Sequence, residues 1–140
     1  MMRLVLLATF VAFAGCTPAG SPSSAAAPVQ DRPIVVVVHA DWCAACLRVA
    51  PAVAWMREEY SHRVSFIDLD VTDEPAMARA TREASRQGLG PFFDASGGQP
   101  GISILGKDRV LVRRFAVENR PGPYRAALEQ ALGTFDRRRD

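Results

Sequence analysis

Cysteine is scarce in this 140-residue chain: there are three, and an odd number cannot close a self-contained disulfide framework. Histidine is scarcer, with His39 and His62 alone. A structural zinc site takes four Cys or His ligands. The two clustered cysteines would have to recruit both histidines, and His62 follows the end of a helical stretch, on the solvent side. An excess of charge of one sign is also missing. Seventeen basic against fifteen acidic residues leave a net charge of +2, which offers nucleic acid no electrostatic footprint. The apolar run Leu4 to Ala14 is too short to cross a bilayer comfortably. What remains, with 49% hydrophobic and 23% charged residues, fits one globular domain plus an appendage.

The appendage is N-terminal. Met1-Met2-Arg3 is a basic start, the apolar run follows, and Ala14-Gly15-Cys16 supplies small residues before a cysteine. That pattern is an export signal. Phe13-Ala14-Gly15-Cys16 resembles the lipobox of bacterial lipoproteins, with Phe13 where Leu is usual. The resemblance implies that residues 1–15 are a cleaved signal peptide and that Cys16 is lipidated as the first mature residue. Thr17 in place of Asp implies outer-membrane retention in a cell with two membranes, and simple cleavage to a soluble exported form is the alternative. On this reading Cys16 is consumed by lipid, and only Cys43 and Cys46 remain for chemistry. Residues 16–32 then form the lipidated cysteine and a linker. Its Pro, Ala, Ser and Gly lack apolar periodicity and predict a disordered tether, with a reach of about 20 Å as a flexible coil.

Trp42-Cys43-Ala44-Ala45-Cys46 is the stretch that organises the rest. It leaves a β-branched run, Ile34 to His39, which predicts a buried central strand, and enters a helical pattern over Ala44 to Tyr60. Cysteines three apart on an opening helical turn are close enough to form a small disulfide ring. Cys43 falls at the helix N-terminus, where free backbone N–H groups favour a thiolate. Cys46, one turn deeper, is placed to resolve a mixed disulfide formed by Cys43.

The helix is expected to bury Leu47, Val49, Ala50, Val53 and Met56 and to kink at Pro51. Arg63 to Asp70 predicts a second strand with Val64, Phe66 and Asp68 sharing a face, completing a right-handed βαβ unit. A second helix spans Glu74 to Gln87, capped by Thr72 or Asp73 with Pro75 in its first turn. The glycines of Gly88 to Gln99 predict a long loop. Gly101 to Leu105 and Arg109 to Phe115 flank Gly106-Lys107-Asp108 as a hairpin. A last helix from Pro121 to Gly133 turns Tyr124, Ala127, Leu128, Ala131 and Leu132 inward. The predicted class is α/β, a mixed four-stranded sheet in the order β-α-β-α-β-β-α, over residues 33–135 with a basic tail at 136–140. Arg137 to Arg139 complement the dipole of the last helix.

That order, the Trp42-Cys43-x-x-Cys46 motif, Ala50-Pro51 after it and Glu59-Tyr60 at the helix end together resemble the thioredoxin superfamily. Ala40 to Cys46 is especially similar to the C-terminal domain of periplasmic thiol:disulfide interchange proteins. The resemblance implies a redox-active Cys43–Cys46 pair, no organic cofactor, no metal, and protein thiols or disulfides as substrates. It also implies a cis-proline before the hairpin, with Gln99-Pro100 presenting backbone to a client; Pro91 is the rival. Phe92 and Phe93 then either form a flap beside the site or anchor the loop to the core. Family members carry a buried Asp six residues before the first cysteine; here that place is Val37, and the lysine that often faces it falls near Phe66. His39, on the same strand face as Val37, is the candidate acid or base. Trp42 shapes the surface beside the pair.

The function expected is that of an exported, membrane-anchored, monomeric thiol:disulfide oxidoreductase, working reductively with a membrane electron-transfer partner and no nucleic acid. The alternative is a Cu(I) metallochaperone, since two thiolates suffice as soft ligands.

Overall fold

The computed structural model describes residues 31–133 apart from 117. The expected export signal, Cys16, the expected tether up to residue 30 and the expected basic tail lie outside the described residues.

Eight elements follow one another: β1 (Ile34–His39), α1 (Ala44–Tyr60), β2 (Ser65–Asp70), α2 (Glu74–Arg86), α3 (Gly90–Ser96), β3 (Gly101–Leu105), β4 (Leu111–Phe115) and α4 (Pro121–Ala131). The strands form one mixed sheet in the order β2-β1-β3-β4. β1 lies parallel to β2 and antiparallel to β3, and β4 lies antiparallel to β3. This is the thioredoxin-like α/β architecture the sequence predicts, with one helix more.

The β-branched run of β1 occupies the centre because both of its faces are covered. Val35 and Val37 join a cluster with Val49, Met56, Ile104 and Tyr124, while Val36 and Val38 join another with Leu69, Ala84 and Phe93. Each such side chain removed from water stabilises the fold by about 1.5–3 kcal/mol. On β2 the buried residues are Ile67 and Leu69; Phe66 is half-buried and Asp68 exposed on the other face.

α1 starts and ends as expected and runs through Pro51 unbroken. Its buried row is Val49, Ala52, Met56 and Tyr60. Leu47, expected in the core, is 73% exposed, and Ala50 is exposed too. Two residues are about 200° of helical turn, so packing Val49 against the sheet sends Leu47 outward. Asp73 caps α2, its carboxylate accepting the Ala76 N–H at 2.7 Å. Pro75 sits in the first turn.

The expected long loop contains α3. Its glycines stand at the ends of the helix rather than inside it: Gly90 opens it beside Pro91, and Gly97, left-handed at φ 60°, closes it. Phe93 is buried with Leu89 in the core, and Phe92 packs partly against the same cluster. The phenylalanines therefore anchor this segment. β4 begins at Leu111 rather than Arg109, because Arg109 takes a left-handed turn conformation (φ 65°) and its N–H closes onto the Gly106 carbonyl at 3.0 Å.

Candidate active site

Ala40, Asp41 and Trp42 carry the chain from β1 to α1, and the Cys43 N–H donates to the Ala40 carbonyl at 3.0 Å to close that turn. Cys43 is the N-cap of α1, extended at φ −87° and ψ 91°. Its Sγ accepts the Cys46 N–H at 3.1 Å. A sulfur in the N-cap position receives one of the free donors of the first turn, and the same donor would stabilise negative charge on it. Cys43 and Cys46 are joined as a disulfide, with S–S 2.20 Å and Cα–Cα 5.3 Å.

The expected order of depth is reversed in this oxidised state. Cys43 is only 8% exposed, packed with Val38, Ala40 and Phe93, whereas Cys46 is half-buried and only packs against that cluster. The cause is the cap itself, which folds the Cys43 side chain back over the helix start.

Behind Cys46 lies a cavity of about 360 Å³ between α1 and the sheet. His39, Val37, Arg57, Asp68 and Gly101 share its lining with Cys46. Thus His39 and the start of β3 line the same cavity as Cys46. Pro100 immediately precedes the strand that borders it, and the Gln99 carbonyl accepts from Arg114 Nη2 at 2.9 Å.

Two expectations are corrected here. No peptide bond among the described residues is cis, so neither Pro100 nor Pro91 is a cis-proline. Gly101, at φ +155°, turns the chain into β3 with a backbone conformation open essentially to glycine alone. Pro91 lies in the first turn of α3, where a trans proline fits. The second correction concerns the neighbour of Val37. It is Asp68, with Phe66 one step back beside Val35.

Trp42 is 65% exposed, yet fixed. Its indole Nε1 donates to the Thr72 carbonyl at 3.0 Å, and the Asp41 N–H donates to Thr72 Oγ1, also at 3.0 Å. The Thr72 hydroxyl and N–H in turn both donate to Asp70 Oδ1, at 2.5 and 2.9 Å. Those two bonds hold the Asp70 carboxyl below its usual range, helped to a lesser degree by His39 and Arg79. Sequence reasoning missed this latch and the Arg57–Asp68 pair. Thr72 reads only as a helix cap, and the signal for Asp68 needed the register between strands.

The thioredoxin family model matches residues 23–83. The matched stretch holds the Cys43-x-x-Cys46 motif, and the fold is thioredoxin-like. The chain is 33% identical over 100 residues to the thiol:disulfide interchange protein TxlA of Synechococcus elongatus, covering 68% of this chain and 52% of that protein. It is 32% identical over 90 residues to the chloroplastic thioredoxin-like protein HCF164 of Arabidopsis thaliana, covering 63% of this chain and 33% of that one. The chain therefore spans about half the length of the first relative and a third of the second. Among solved structures, a thioredoxin-like protein in the oxidised form superposes with a TM-score of 0.51 at 13% identity. The alignment covers 76% of this chain and 81% of that one, a likeness that shows the fold.

Proposed function

We propose that this protein is an exported thiol:disulfide oxidoreductase, held to a membrane by lipid on Cys16 and acting reductively on protein disulfides in the periplasm. The observation that carries the reading is the position of Cys43 Sγ as the cap of α1, accepting the Cys46 N–H at 3.1 Å. In the reduced state the Cys43 thiolate attacks a client disulfide, and one client sulfur leaves with the bonding electrons. Cys46 then attacks Cys43, expelling the second client sulfur and closing the Cys43–Cys46 bond. Two electrons pass to the client, no organic cofactor takes part, and a membrane partner must reduce the pair again. Trp42 and the backbone at Gln99-Pro100 border the path by which a client arrives, and a monomer suffices for every step.

Cys46→Ser should trap clients as covalent complexes that dissolve in reductant, and Cys43→Ser should trap none. A Cys46→Ser protein that captures nothing in cells overturns the exchange reading. Direction is set by the reduction potential: about −270 mV marks a reductant and about −120 mV an oxidant. Anchoring is tested by Cys16→Ser, which should move the protein from the membrane fraction to the soluble one.

A further inference from the structure

The exchange reading, on which this inference rests, leaves one proton without a destination. A thiol attacks a disulfide only as thiolate. Cys43 has the helix N-terminus to favour its charge; Cys46 lies one turn further along α1 and needs an acceptor as it resolves the mixed disulfide. The cavity it borders is lined by three charged or titratable groups besides Cys46: His39 from β1, Arg57 from α1 and Asp68 from β2. β3 contributes only Gly101 and Ile102.

Of these, Asp68 has the placement of a base. In the parallel register it stands beside Val37, on the edge strand β2, and lines the cavity. Arg57 reaches from α1 across the half-buried Phe66 ring, 4.8 Å away, and donates to both Asp68 oxygens at 2.6 and 2.7 Å. The carboxylate is thereby fixed in orientation, yet its side chain stays 50% exposed, so a proton received there can pass on to solvent. It also borders a second groove, whose lining holds Asp70 and the α2 charges Arg79, Arg82, Glu83 and Arg86. His39 stands within electrostatic reach of Asp70 at the end of β1. A space of about 360 Å³ has room for water, at about 30 Å³ per molecule.

We propose that Asp68, held in place by Arg57, accepts the Cys46 proton through water in this cavity when the mixed disulfide is resolved. The Cys46 S–H bond breaks and its proton reaches the Asp68 carboxylate. The thiolate forms the bond to Cys43, the client sulfur leaves with the electron pair, and Asp68 releases the proton to solvent.

The test uses the full chain carrying Cys16→Ser, so that Cys43 and Cys46 are its only thiols. The reduced protein is mixed with 5,5′-dithiobis(2-nitrobenzoate), which releases a first thionitrobenzoate on attack by Cys43 and a second on resolution by Cys46. Asp68→Asn should slow the second phase about tenfold or more at pH 7 and leave the first unchanged. The deficit should shrink as pH rises past the ordinary thiol value of about 8.5, and Asp68→Glu should recover most of the rate. An unchanged second phase, or equal slowing of both phases at every pH, overturns the assignment. So does a deficit reproduced by His39→Gln alone. A parent protein that never releases the second thionitrobenzoate overturns the exchange reading itself, an outcome distinct from these.

Discussion

Trp42 and Thr72, thirty residues apart, are joined by a 3.0 Å hydrogen bond from the indole Nε1 to the Thr72 carbonyl. The residue that precedes the nucleophile is thus held by the loop that leaves β2. That loop also receives the Asp41 N–H on the Thr72 hydroxyl. Thr72→Val keeps the carbonyl but removes Oγ1, leaving the Asp41 N–H and Asp70 each short of a partner. The expected cost is about 1 kcal/mol, read as a lower urea midpoint with an unchanged slope.

The Asp70 carboxyl, held low chiefly by the hydroxyl and N–H of Thr72, ties stability to acid pH. Its folded pKa lies below the ordinary 3.8, so its contribution is full above that value and is lost as pH falls through the depressed one. Asp70→Asn should flatten the acid limb of the stability profile below about pH 4. An acid limb identical to the parent's would remove Asp70 from that role.

Alkaline pH acts through the two tyrosines. Burial first, and the Glu118 charge second, push Tyr124 up to about 12; its hydroxyl donates to the Glu118 carbonyl at 2.7 Å. Tyr60 is raised by burial and then by its bond to Glu129. Both folded values exceed the ordinary 10.0, so each contribution is full below pH 10 and is lost as pH rises through the raised folded value, about 12 for Tyr124. Absorbance at 295 nm should show little tyrosinate at pH 10, then a joint rise as the protein unfolds. Half-ionisation of either ring at pH 10 in folded protein would contradict this.

Gly101 has no substitute. A Cβ there would lie 2.9 Å from the Phe115 carbonyl oxygen, on a backbone at φ +155°. Gly101→Ala should cost about 2 kcal/mol or more and slow exchange, because Gly101 borders the cavity behind Cys46. Gly88→Ala, at φ +71° with nothing within 4 Å, should cost only about 1 kcal/mol. Thermal midpoints of the two variants compare them directly.

The two sides of α1 should respond unequally. Leu47, 73% exposed, should tolerate Ser within about 0.5 kcal/mol. Met56, fully buried, should lose about 2–5 kcal/mol as Ala. Equal midpoint shifts in denaturant would mean that α1 faces the sheet differently.

The cysteine motif, the β-branched β1 and the order of strands were legible because each rests on local pattern: residue spacing, branching, and turn residues between apolar runs. Leu47 was misplaced because its neighbours fit more than one apolar stripe, and only contact with the sheet selects Val49, Ala52 and Met56. The segment holding α3 looked irregular because glycine serves both to break a helix and to end one. Asp68 became a site residue only through register, which aligns it with Val37 across a strand boundary that sequence alone leaves free to slide. Pro100 shows the limit of likeness to a family: the neighbouring Gly101 makes the turn by other means.

One atom of this protein has two employments. The Cys43 sulfur changes oxidation state, and it also terminates α1 by accepting the Cys46 N–H. Serine can inherit the second task and alanine cannot. An inactive control made with alanine would therefore loosen the helix start as well as silence the chemistry, and only the hydroxyl replacement separates architecture from reactivity.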